Sequence, residues 1–91
     1  MMYPYITMAD GTEVVHSQII NEDNIEKVIV HFERPTQFGF NTARYELPSN
    51  KWLIIDGYSE ECINTFELFI NANVELILKY AKSGGILNCL K

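Results

Sequence analysis

Hydrophobic positions change period once along this chain, dividing it into a sheet-forming first half and a helix-forming second half. Residues 3–55 are rich in Ile, Val, Thr, Tyr and Phe and are interrupted by turn residues. Residues 5–8 precede Asp10-Gly11, a dipeptide suited to the positive φ of a hairpin turn. Residues 12–20 read as a strand, with Val15, Ser17 and Ile19 on one face and Val14, His16, Gln18 and Ile20 on the other. After a polar turn at 21–24, Val28, Val30 and Phe32 alternate with Lys27, Ile29, His31 and Glu33, the pattern of a half-buried antiparallel strand. Pro35 lacks a donor and is expected to end that strand near Arg34. A loop at 36–41 containing Phe38-Gly39-Phe40 leads to a strand at 42–47. Pro48-Ser49-Asn50 breaks it, and 52–55 reads as a short apolar strand or extended connection.

The period then becomes helical. Ser59 is suited to cap a helix whose first turn carries Glu60 and Glu61. Ile63, Phe66, Ile70, Val74, Ile77 and Ala81 form one stripe, which Phe69, Leu76 and Tyr80 widen. Lys79 and Lys82 suit the last turn, and Gly84-Gly85 ends the helix. Asn71 and Asn73 are middling helix formers and could break it in two. The short apolar segment from Ile86 to Leu90 could add a strand to the sheet or pair with a second copy as a homodimer. The expected fold is therefore α+β: a single domain over residues 1–91, an antiparallel meander of about four strands packed on one long C-terminal helix.

Composition narrows the function classes. The chain has 91 residues, 47% hydrophobic and 21% charged, enough to form a core. Twelve acidic and seven basic side chains leave a charge of −5, and the basic residues are scattered. That argues against direct nucleic-acid binding and permits a basic protein partner. The first eight residues lack the charged and apolar regions of a signal peptide, and no apolar run reaches membrane-spanning length. Cys62 and Cys89 lie far apart and form no disulfide framework, which fits a cytoplasmic protein with reduced thiols.

Three groups of residues carry candidate chemistry. Phe38, Phe40 and Trp52, with Arg34 and Arg44 nearby, could form a stacking platform for a ligand or peptide, or could plug one end of the core. His31 and Glu33 share a strand face and could act as an acid–base pair or metal ligands, with His16 joining them if 21–24 closes a hairpin; a solvated polar pairing is the plainer alternative. Cys62 falls in the first helical turn, where backbone amides favour a thiolate, but Glu60 and Glu61 oppose it, and a small buried hydrophobe is the simpler role. Phosphate-loop, nucleophile-elbow, HExxH, CxxC and calcium-loop patterns are all missing, and no spacing implies a cofactor or metal.

The stretch Asp56-Gly57-Tyr58-Ser59-Glu60-Glu61, continuing to Asn73, Ile77 and Tyr80, resembles a small uncharacterised bacterial α+β domain family. Its members carry a Gly-Phe-Ser helix start, a helical Asn and a late aromatic. A His-x-Glu strand precedes that helix, and His31-Phe32-Glu33 matches it. The family's Pro-Pro-His-Ile-His run is replaced here by Lys27-Val28-Ile29-Val30-His31. The resemblance implies a bacterial or phage setting near suspected toxin–antitoxin genes.

The leading expectation is a non-enzymatic protein-interaction module, such as an accessory or neutralising protein of antitoxin or phage-inhibitor type. The alternative is a small-molecule or metal-binding domain, hydrolytic in the extreme case, using His16, His31 and Glu33.

Overall fold

The computed structural model describes residues 2–84, so the segment 86–90 and Cys89 lie outside the described residues. The elements run β1 (Met2–Thr7), β2 (Glu13–Ser17), β3 (Ile20–Glu22), β4 (Ile25–Thr36), β5 (Gly39–Leu47), β6 (Lys51–Asp56) and α1 (Glu60–Ser83). The α+β class and antiparallel sheet agree with the expectation, but the described residues form six strands rather than about four. The sheet order is β1-β2-β4-β5-β6, with β3 also pairing β4. The helix is unbroken.

The extra strands have local causes. At one end of the β4 ladder Ile20 pairs with Lys27 and Glu22 with Ile25; at the other, His16 pairs with Val30 and Glu13 with Glu33. Gln18 and Ile19 thus share the place opposite Val28, a one-residue bulge that splits the expected strand into β2 and β3. The Ser17 hydroxyl repairs the break: it accepts the Ile29 N–H at 2.9 Å and donates to the Gln18 carbonyl at 2.8 Å. Asp23 and Asn24, both at positive φ (52° and 64°), close the hairpin as a tight two-residue turn requires.

β4 also runs through Pro35 to Thr36 instead of stopping near Arg34. Past Glu33 it is paired only with β5, and a one-sided strand is where a sheet tolerates proline. The expected loop at 36–41 shrinks to Gln37 and Phe38, because Thr36 already pairs with Gly39.

One face of this sheet meets the helix. Val14, Val28, Val30, Phe32, Ala43, Tyr45 and Leu47 are buried against Ile63, Phe66, Ile70, Ile77 and Ala81. The Phe32 and Phe66 rings stack at 4.3 Å and 8°. Ser59 caps the helix by accepting the Cys62 N–H at 3.2 Å, and Gly84 ends it at φ 86°. Asn73 does not break it: its amide donates to the Phe69 carbonyl one turn back at 2.8 Å, and its oxygen accepts the Tyr5 hydroxyl at 2.7 Å, tying β1 to α1. Leu76 turns outward, 44% exposed, and does not widen the buried stripe. Among the described residues no helix is long and apolar enough to cross a membrane.

The link from β6 to α1 turns at Gly57, φ 90°, where a Cβ would overlap the Asn41 side chain. Gly57→Ala is therefore expected to cost about 1–3 kcal/mol, from the left-handed backbone alone and more if Asn41 cannot move. Urea unfolding of the variant measures it.

Candidate functional site

The β4–β5 hairpin extends past its neighbours. β2 stops pairing at Glu33 and β6 at Thr42, so 34–36 and 39–41 form a two-stranded ribbon whose only strand partners among the described residues are each other. Phe38 occupies the turn at 94% exposure, and Phe40, paired with Pro35, is 67% exposed. Gly39 at φ 140° allows the sharp return, and the Thr36 hydroxyl accepts the Phe38 N–H at 3.3 Å. At the base of the ribbon the Arg34 guanidinium lies 3.4 Å from the Asp10 carboxylate. Asp10 in turn accepts the Thr12 N–H at 2.9 Å, and that bond holds its carboxyl below the usual carboxylate range. A salt-bridged base thus carries a tip presenting two uncovered aromatic rings.

The other members of the expected platform stand elsewhere. Trp52 is half-buried on the helix side, 4.7 Å from the Tyr45 ring, with its indole N–H donated to Glu67 at 2.7 Å. Arg44 lies mid-sheet on the open face, paired with His31 on one side and Ile54 on the other. The structure keeps Phe38 and Phe40 together at the tip, places Arg34 at the ribbon's base on the helix-facing side, and leaves Arg44 and Trp52 out of it.

The histidines are separated by the sheet itself. His16 pairs with Val30 on the helix-facing side and is fully buried, whereas His31 pairs with Val15 and Arg44 on the open side. His16 Nδ1 donates to the Ser17 carbonyl at 2.9 Å, leaving a buried Nε2 with no hydrogen-bond partner among the described residues. Burial pushes His16 below the ordinary imidazole value, against a smaller opposing effect of the Ser17 carbonyl. His31 is also lowered, first by burial and then by Arg44, while Glu33, with Oε1 3.7 Å from Nδ1, pulls it back up. Among the described residues no three His, Cys, Asp or Glu side chains converge as metal ligands would.

Cys62 borders a cleft of about 350 Å³ with Met8, Ala9, Asp10, Glu61, Thr65 and Phe66. No histidine among the described residues lines that cleft.

One feature escapes residue-by-residue reading. Among the described residues β6 is the last strand of the sheet, and Leu53, Ile54 and Ile55 are 48%, 41% and 48% exposed. The available signal was a run of consecutive apolar residues in the final strand of a meander, since a sheet's edge exposes what its interior would bury. No family model, no curated protein and no solved structure matches the chain.

Proposed function

We propose that this domain is a non-enzymatic protein-interaction module that engages its partner with the tip of the β4–β5 hairpin. The observation that carries this reading is the pair Phe38 and Phe40, held clear of the core on a ribbon that projects beyond the sheet. Exposed aromatics on a rigid support are the anchors that dominate protein–protein contacts, because each brings a large apolar area at little entropic cost. A net charge of −5 favours a partner with a basic surface around its aromatic pocket. A small accessory or neutralising protein, which acts by occupying another protein's surface, suits these properties. The alternative built on His16, His31 and Glu33 lacks an assembled site, since His16 lies across the sheet from the other two.

A photo-crosslinking residue placed at position 38, in cells that express the protein, is expected to capture one defined partner. The same residue at Leu68, 72% exposed on the helix, is expected to give only background. Phe38→Ala with Phe40→Ala should then weaken that partner's binding by about 30-fold or more, roughly 2 kcal/mol, at unchanged thermal stability. Equal capture from both positions, or undiminished affinity in the double variant, would remove the tip as the contact surface.

A further inference from the structure

The two edges of the sheet are unlike. β1 carries Pro4, which cannot donate to a new ladder, and is interrupted by a bulge at Tyr5, between Pro4 and Ile6. Pro4 discourages a further strand at this edge. β6 reads Lys51-Trp52-Leu53-Ile54-Ile55-Asp56, with a basic end, an acidic end and an apolar centre. Among the described residues only β5 pairs with it, leaving its other edge open.

An irregularity in β6 makes that edge self-complementary. Tyr45 pairs with Trp52 but Arg44 with Ile54, so Leu53 is an inserted residue. In a regular six-residue strand the first and last side chains point to opposite faces. The insertion changes this. Lys51 pairs with Glu46 and Asp56 with Thr42, both open-face positions, while Trp52 pairs with Tyr45 and Ile55 with Ala43, both on the helix side.

We infer that β6 is a dimerisation edge, pairing antiparallel with β6 of a second copy about a twofold axis perpendicular to the sheet. Centring the axis between Leu53 and Ile54 sets Lys51 against the second copy's Asp56 on the open face. It sets Trp52 against the second copy's Ile55 on the helix side, and Leu53 against the second copy's Ile54. Each contact occurs twice by symmetry, as an isologous interface requires. Opposite charges directly across a strand pair attract, whereas like charges repel. Parallel pairing would bring Lys51 to Lys51 and Asp56 to Asp56, so charge selects the antiparallel arrangement. The dimer continues the sheet through both subunits, with both helices on one face. The Phe38 tips, which lie at the Asp56 end of each β6, point in opposite directions and stay uncovered. The interface is therefore independent of the tip reading and stands or falls without it.

Charge reversal tests both the interface and its register. In sedimentation equilibrium over rising concentration, the full chain is expected to approach twice its 10.5 kDa mass. Lys51→Glu alone and Asp56→Lys alone should each weaken dimerisation by about tenfold or more, since each replaces two attractions with two repulsions. An equimolar mixture of these two variants should recover the dimer. In the mixed pair the new carboxylate of one variant faces the new ammonium of the other, and the unaltered Asp56 of the first faces the unaltered Lys51 of the second. A chain ending at Gly84 should dimerise as the full chain does. Circular dichroism confirms that each variant folds, and the mixture corrects for any local cost of a substitution. A monomeric full chain overturns the proposal, whether or not the chain ending at Gly84 dimerises. So do single variants that dimerise like the parent, or a mixture no tighter than either variant alone.

Discussion

Phe32→Ala is expected to remove about half of this domain's stability at room temperature. Phe32 is fully buried in β4, the central strand of the sheet order, with neighbours on both sides. Its ring stacks on Phe66 at 4.3 Å and meets Trp52 and Phe69 at 6.0 and 6.3 Å, so it joins the sheet to the helix at one point. Truncating a buried phenylalanine removes its transfer free energy and leaves a cavity, together about 3–5 kcal/mol. A domain of this length has about 5–10 kcal/mol in total. Leu68→Ala removes apolar atoms from a side chain that is 72% exposed and should stay within about 0.5 kcal/mol of the parent. Urea titrations of the two variants check the contrast; a Phe32→Ala midpoint close to the parent's would mean that the sheet–helix core is not organised around this ring.

Acid is expected to destabilise the fold as pH falls through about 6.5, through the histidines. Both have folded-state pKa values below the ordinary 6.5, His16 by burial and His31 by burial and Arg44. The unfolded chain therefore takes up protons first as pH falls through 6.5, and stability drops until the folded values are reached. Above 6.5 both states are neutral and the stabilisation is complete. The slope for each histidine is bounded by the one-proton limit of about 1.4 kcal/mol per pH unit. His16 faces the Tyr3 and Tyr5 rings at 5.7 and 6.2 Å and the Ser17 carbonyl, with no carboxylate among these neighbours to hold a proton. His31 faces Glu33 and Arg44, whose effects oppose each other. Asp10, lowered by its bond from Thr12, adds a separate loss only below its ordinary 3.8. His16→Leu removes one contribution and the unpaired Nε2 together, so its unfolding midpoint should vary less between about pH 7.5 and pH 5. A parent protein with a flat midpoint over that range would contradict the burial of His16 in a proton-free site.

The fate of the two histidines shows where local pattern stops being informative. The register at the Asp23–Asn24 turn, where Glu22 meets Ile25, would if continued set His16 against His31. The one additional residue at Gln18–Ile19 shifts the pairing so that His16 meets Val30. Because strand side chains alternate, that slip moves His16 from the open face into the core. Nothing in the residue types at 18 and 19 marks the bulge. It is stabilised by a Ser17 hydroxyl bonded to Ile29, twelve residues away. The expected stacking platform divides for a related reason. Trp52 and Arg44 are near the Phe38 tip in sequence, but Trp52 faces the helix, Arg44 the open side, and the tip lies beyond both.

By itself the sequence determined what depends on neighbours a few residues apart. The Val28-Val30-Phe32 alternation, the Ser59 cap, the buried stripe through Ile63, Phe66, Ile70 and Ile77, and the glycine that ends the helix follow from strand and helix periods and backbone sterics. Tertiary structure alone decided which face each histidine occupies, that Leu76 is outward while Ile77 is buried, and that Leu53, Ile54 and Ile55 lie on the strand that ends the sheet among the described residues. Those outcomes depend on strand register and on which strand comes last in the sheet. Both are set by the pairing of distant segments, where a single inserted residue reverses every side chain that follows.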